Sequence, residues 1–139
     1  MGTRTKSYPS SAGFIVDPKS IVRGSGRQID WSKVTAGATY GAAGSRVLKA
    51  GTILSEVTAT GKVVPRALGA SGTGSAFAIL ETAAHESSET DSLSGFGVIL
   101  GGGIYDNKLA DAADAAFATM KTELGARFYY ETYGDSRAS

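Results

Sequence analysis

The sequence predicts a mainly β chain with one helix, an α+β class, preceded by an extended N-terminal arm. Three observations carry that expectation. Glycine is 19 of 139 residues, close to twice the usual ~7%, while proline is only 3, a balance that suits tight turns between short strands. The run Arg46–Arg66, RVLKAGTILSEVTATGKVVPR, reads as lead-in strand, Gly turn, strand, Gly turn and a strand stopped by proline. A single apolar stripe with spacings of 3 and 4 falls between Leu109 and Leu124.

The length suits one domain with a tail. Residues 1–44 show no sustained period of 2 or 3.6, only apolar points among small and polar residues: Tyr8, Phe14-Ile15-Val16, Ile21-Val22, Ile29, Trp31 and Tyr40. Pro9 and Pro18 oppose helix on their N-terminal sides. This stretch is predicted to be an arm that orders only against a partner or an oligomer, because alone it buries too little apolar area to offset its ordering entropy. The body is predicted over residues 45–139.

Within the body, Arg46–Leu48 is expected as a short strand and Thr52–Thr58 as a longer one, with Ile53 and Val57 on one face and Leu54 and Glu56 on the other. Ala59-Thr60-Gly61 suits a hairpin loop, Gly61 supplying the left-handed position. The return strand Lys62–Arg66 contains Pro65, which places it at a sheet edge. Ala67–Gly74 is a Gly-rich connector, and Ser75–Glu81 (SAFAILE) is a buried strand by its continuous apolar run. Thr82–Ser94 reads as an exposed acidic loop. Gly95–Tyr105 is a long strand broken at Gly101-Gly102-Gly103, where a bend, a bulge or a close backbone approach is expected. Leu109–Leu124 is predicted as one helix, with Asp106 or Asn107 as cap, Asp111 and Asp114 facing solvent and Gly125 ending it. Arg127–Tyr133 is a final aromatic strand.

Residues that carry covalent or metal chemistry are sparse. Cysteine is absent, so no thiolate or disulfide is available. The one histidine, His85, sits near Glu86, Ser87, Glu89 and Asp91 on the predicted loop. A triad there would need geometry that close sequence neighbours rarely hold, and a zinc site would need a second histidine at a rigid spacing. The G-x-G pairs Gly24/Gly26, Gly72/Gly74 and Gly95/Gly97 lack the third glycine of a dinucleotide fingerprint, its place being taken by Ile29, Phe77 and Leu100. These readings disfavour an enzyme, a cofactor and a bound metal. No apolar run approaches the ~18–20 residues of a membrane span, and the N-terminus lacks the apolar core of a signal peptide. Residues 1–44 hold six basic against two acidic side chains, whereas the remainder is net acidic. A charge of +4 spread over that length is a thin footprint for nucleic acid.

The runs A-G-T-I-L-S-E-V-T-A-T-G-K-V-V-P-R, S-A-F-A-I-L-E and G-F-G-V-I-L-G-G-G-I-Y-D-N-K-L occur in that order. Together with Leu109, Lys121–Gly125 and the aromatic strand reaching Asp135-Ser136-Arg137, they resemble the head decoration proteins of tailed bacteriophages, the lambda D type. The resemblance covers about residues 46–137. It implies a small body of the β-clip or β-tulip kind and a homotrimer seated on three-fold and quasi-three-fold positions of the capsid. It implies the major capsid protein as partner and the outer surface of the virion head as location, after synthesis in the bacterial cytoplasm. It also implies a cementing role on the expanded shell, with no catalytic residue and no cofactor. The capsid-binding arm is then expected to work through Tyr8, Phe14, Ile15, Val16, Ile21, Val22, Arg23 and Trp31. The β-capable stretches would add a strand to a capsid edge, with Trp31 as anchor. Rival readings are a head-fibre or tail component, a small β-clip ligand-binding module and a basic-armed nucleic-acid binder.

Overall fold

The computed structural model describes residues 12–24, 26–86 and 97–133. Its strands, in chain order, are β1 (Val22–Arg23), β2 (Val47–Leu48), β3 (Ile53–Val57), β4 (Val63–Pro65), β5 (Thr73–Leu80), β6 (Ala84–His85), β7 (Val98–Tyr105) and β8 (Phe128–Glu131), and its helix is α1 (Phe117–Leu124). The fold is mostly β with a single α-helix, as the sequence predicts. Five strands run in the order β1-β7-β5-β3-β4, each antiparallel to its neighbour. Strand β8 joins β7 in parallel, and β2 pairs with β6 in a separate ribbon.

Both faces of this sheet are covered, which explains the continuous apolar run of β5. Ile53, Ile79 and Ile99 are register partners on the three central strands and are fully buried in one core. That core is closed by Met120 and Leu124 of α1, by Phe128 of β8, and by Leu109 and Phe14. The alternate residues Leu54, Ala78, Leu80 and Val98 enter a second core with Ile29, Val34, Leu48, Val63 and Ala84. The ribbon β2–β6 contributes Leu48 and Ala84 to this second face, so the predicted exposed loop at Thr82–Ser94 contains a buried strand residue, Ala84. Its stretch 87–94 lies outside the described residues.

The β3–β4 hairpin forms with Gly61 at φ 78, and β4 with Pro65 lies at the end of the sheet path. Its outer edge is not bare. Ile29 makes a parallel bridge to Val63, whose N–H donates to Gln28 O at 2.9 Å, while Asp30 N–H donates to Val63 O at 2.9 Å.

The helix is shorter than the stripe predicts. Asp106–Lys108 is a 3₁₀ turn, residues 109–116 are turns, and only Phe117–Leu124 is α-helical. Tertiary and side-chain hydrogen bonds take over the backbone there. Ala110 N–H donates to Gly51 O, and Asp114 Oδ1 accepts from Ala116 N–H at 2.8 Å. Asp111 does not face solvent; its Oδ2 accepts Ile53 N–H at 2.8 Å, which ties the lead-in of α1 to the start of β3. Short aspartates compete with helical hydrogen bonds in this way. The predicted caps are also displaced: Asp106 pairs with Lys121 Nζ at 2.9 Å. Gly125 does end the helix, at φ 77, its N–H donating to Lys121 O. The stripe residues Leu109, Met120 and Leu124 are nonetheless all in the core.

The glycine run explains how β7 changes partners. Ile99 and Ile104 enter the same core although an odd number of positions separates them, so the strand's alternation slips between them. Gly102 sits at φ +128 inside that interval. One edge of β7 meets β5 at Val98–Ile99 and then β8 from Gly102 to Tyr105. A Cβ on Gly101 would lie 2.9 Å from Arg127 O, and one on Gly102 would lie 2.7 Å from Ser20 O. At Gly103 the neighbour is the Tyr129 ring, 2.5 Å away, the far end of a half-exposed side chain.

Gly102→Ala combines positive φ with a backbone clash and is expected to cost about 2–4 kcal/mol in urea unfolding. Gly103→Ala, where the Tyr129 ring can swing outward, is expected to cost about 1 kcal/mol or less. Equal losses would contradict this account of the partner switch.

Candidate functional site

The residues expected to form a docking arm are distributed unequally. Tyr8 lies outside the described residues. Phe14 is 3% exposed and sits in the first core. Ile15 bridges Ile104, and Val16 N–H donates to Gly103 O at 3.1 Å. Ile21 packs on the first core, its Cδ1 close to Gly102. Trp31 is half-buried against the second core, on which Tyr40, Phe77 and Leu100 also pack. Val22 and Arg23 are the two members presented to solvent, with Val22 57% exposed. In this structure residues 12–24 and 26–34 are therefore seated on the body.

Their path follows from their apolar points. Phe14, Ile15 and Ile21 serve the first core along the outer edge of β7; Ile29, Trp31 and Val34 serve the second core near β4. Gly24 N–H donates to Val98 O, and Arg27 lies over the Phe77 ring at 4.9 Å and donates to Glu56 Oε2 at 2.9 Å and Gly61 O at 2.8 Å. The segment thus reaches both ends of the sheet. Two faces and two edges claim different residues, so no single period marks it.

Ion pairs fasten other joints. Arg23 Nε and Nη2 grip Glu81 at 2.7–2.9 Å, joining β1 to the residue after β5. Arg66 and Glu123 form a bidentate pair at 2.7 and 2.9 Å, and Glu123 also accepts Ala76 N–H, fixing α1 to β5. Glu86, which sequence proximity groups with His85 as a possible metal ligand, has a structural role. Its carboxylate accepts from Arg46 Nε and Nη2 at 2.8 Å and from the Gly44 and Arg46 N–H groups, while Arg46 Nη1 donates to Val34 O at 2.7 Å. The Arg46 side chain holds the Glu86 carboxyl down to about 2. His85 pairs with Val47 in the ribbon, and Ser87, Glu89 and Asp91 lie outside the described residues. Among the described residues no group of three potential ligand side chains is placed to hold a metal ion.

The described residues also form concave sites. A shallow cavity of about 380 Å³ is lined by Arg66, Gly69, Ala70 and the start of β5 at Thr73, Gly74 and Ser75. A smaller one of about 80 Å³ is lined by Tyr40, Lys49, Thr52 and Asp111 beside β2. Burial raises the Asp111 carboxyl above its ordinary value, partly offset by the Ile53 N–H it accepts, and raises Tyr40 with help from Asp111 and Asp114. Among the described residues Tyr129 and Tyr133 are the large exposed aromatics; Tyr133 stands edge-on to Tyr105 at 5.1 Å, under Lys108.

The Arg46–Glu86 contact sets a pH window. A carboxyl held below its ordinary 4.5 contributes stability that is complete above that value and lost as pH falls toward about 2. Glu86→Gln is expected to lower the melting temperature at pH 7, and the gap from the parent is expected to close between about pH 4.5 and 2. A gap independent of pH would show that charge is not what the contact supplies. Compared with family models, with curated proteins and with solved structures, the chain finds no match in any of the three.

Proposed function

We propose that this chain is a head decoration, or cement, protein of a tailed bacteriophage. It binds the outer surface of the capsid as a homotrimer at three-fold and quasi-three-fold positions, with the major capsid protein as partner, and stabilises the expanded shell. The observation that carries this reading is the ordered set of runs that resembles the lambda D type. Their placement supports it: the first run spans β3 and β4, the second covers most of β5 and the residue after it, and the third contains β7. Those strands are neighbours in the sheet, in the order β7-β5-β3-β4. The matching residues are therefore one contiguous body, which on this reading has the β-clip or β-tulip form.

The packed course of residues 12–24 and 26–34 narrows the part of the chain that can act as a free arm. Phe14, Ile29 and Val34 are buried to within 3% of full burial, so they are commitments of the body. The shell contact then falls to residues 1–11, with Tyr8, and to the exposed Val22–Arg23 edge. Three copies on one shell bind multivalently, so a modest single contact gives lasting attachment.

A second reading, a small ligand-binding module, is favoured by one observation. Lys49 and Thr52 flank the A-G turn before β3 and line the cavity with Tyr40 and Asp111. Saturable binding of a small molecule that Asp111→Asn abolishes, with no shell binding, would favour that reading.

Deleting residues 1–44 removes three buried side chains. Losing Phe14 alone is expected to cost about 3–5 kcal/mol, against a total stability of about 5–15 kcal/mol, so this truncation is expected to lose its cooperative melt. Deleting residues 1–11 is expected to leave the melt intact, leave a trimer by native mass spectrometry and abolish co-sedimentation with expanded capsids. Normal co-sedimentation of the shorter truncation would remove the arm from the account, and failure of the full chain to co-sediment would remove the decoration role.

A further inference from the structure

The two edges of β7 are paired very differently. On one side the ladder is regular, with Leu80↔Val98 and Ile79↔Ile99 to β5 and four successive pairs from Gly102↔Phe128 to Tyr105↔Glu131. On the other side the chain's own residues 15–24 make a discontinuous substitute. Ile15 bridges Ile104, the 3₁₀ turn Pro18–Ser20 interrupts the path, and β1 is two residues long with a register shift between them. Ser20 Oγ accepts Gly103 N–H at 3.0 Å, a side chain standing where a strand would offer a carbonyl. Gly24 N–H to Val98 O at 3.0 Å completes the contact.

Burial follows the same division. Phe14 and Ile29, on either side, are each 3% exposed and belong to different cores. Between them Asp17, Pro18 and Lys19 are exposed, Ile21 packs on the first core but is only partly buried, Val22 is 57% exposed, and Arg23 is held through Glu81 at the surface. Segments with few buried contacts and partly exposed hydrogen bonds open at lower free energy than the body.

We propose that residues 17–24 are a releasable strap. It opens while Phe14 and Ile29 stay seated, with the Arg23–Glu81 pair as its latch. Opening bares the backbone of β7 from Val98 to Gly103 as a sheet edge for an extended segment of a partner. This rests on the decoration reading for the identity of that partner, a strand of the capsid shell, but the opening itself does not.

The test is amide hydrogen exchange on the intact chain, resolved by residue. Gly24 and Gly103 N–H are expected to exchange at least about tenfold faster than the amides of β3 and β5. Arg23→Ala is expected to speed Gly24 and Gly103 a further two- to fivefold, roughly what an exposed ion pair supplies, with β3 and β5 unchanged. Ser20→Ala is expected to speed Gly103 without altering the body. Strap amides as slow as β3 and β5, or an Arg23→Ala effect spread equally over strap and body, would overturn the proposal. Neither readout involves a capsid, so a failed shell-binding assay and a closed strap remain separate results.

Discussion

The structure depends on three isoleucines in one line. Ile53, Ile79 and Ile99 stand beside one another on β3, β5 and β7, all fully buried. Burying such a side chain is worth about 1.5–3 kcal/mol, and truncating one to alanine costs about 2–5. The row fixes the register of the three central strands, because a one-residue slip would send each isoleucine to the other face. It also decides what must cover that face. Helix α1, Phe128 and Phe14 converge on it from distant parts of the sequence. Fixing the row likewise sends Leu54, Ala78, Leu80 and Val98 to the opposite face, where residues 29–34 and the β2–β6 ribbon close the second core.

Local chemistry made much of this legible. The β3–β4 hairpin follows from Gly61 and Pro65, the doubly covered β5 from its unbroken apolar run, and the aromatic strand from Phe128-Tyr129-Tyr130. The stripe named the core residues Leu109, Met120 and Leu124 of the helical segment, but it also counted Ala113, which is exposed, and it overstated the helix length. Asp111 accepts a hydrogen bond from Ile53 N–H that only the tertiary fold supplies, Asp114 accepts one from Ala116 N–H two residues on, and helical periodicity is blind to both. Residues 12–34 were illegible for a different reason. Their apolar points are divided between two cores and two sheet ends, so each has a partner and none has a neighbour at a regular interval. Of the expected docking residues, Phe14 and Trp31 carry the strongest sequence signal for an interface, yet the same apolar surface is what the chain's own cores recruit. Val22 and Arg23, less conspicuous in sequence, are the ones presented.

The glycine run links fold to function. Gly101–Gly103 lets β7 receive β8 on one edge and Ser20–Ile21 closely on the other. It makes the body compact where the strap lies, and it leaves the strap edge held by the Ser20 hydroxyl, an isolated bridge at Ile15 and the two-residue β1 instead of a full ladder. A decoration protein must be stable in solution and still have an edge or a tail to give to the shell. On the proposed reading the two buried faces of the sheet supply the first property, and the weakly paired edge with the residues before Phe14 supplies the second.

The central functional claim is most directly tested by electron microscopy of phage heads prepared with and without this chain. The account predicts knobs of density on the outer surface at the three-fold and quasi-three-fold positions, present only when the chain is supplied. Identical head surfaces in the two preparations, or density confined to the tail, would contradict it.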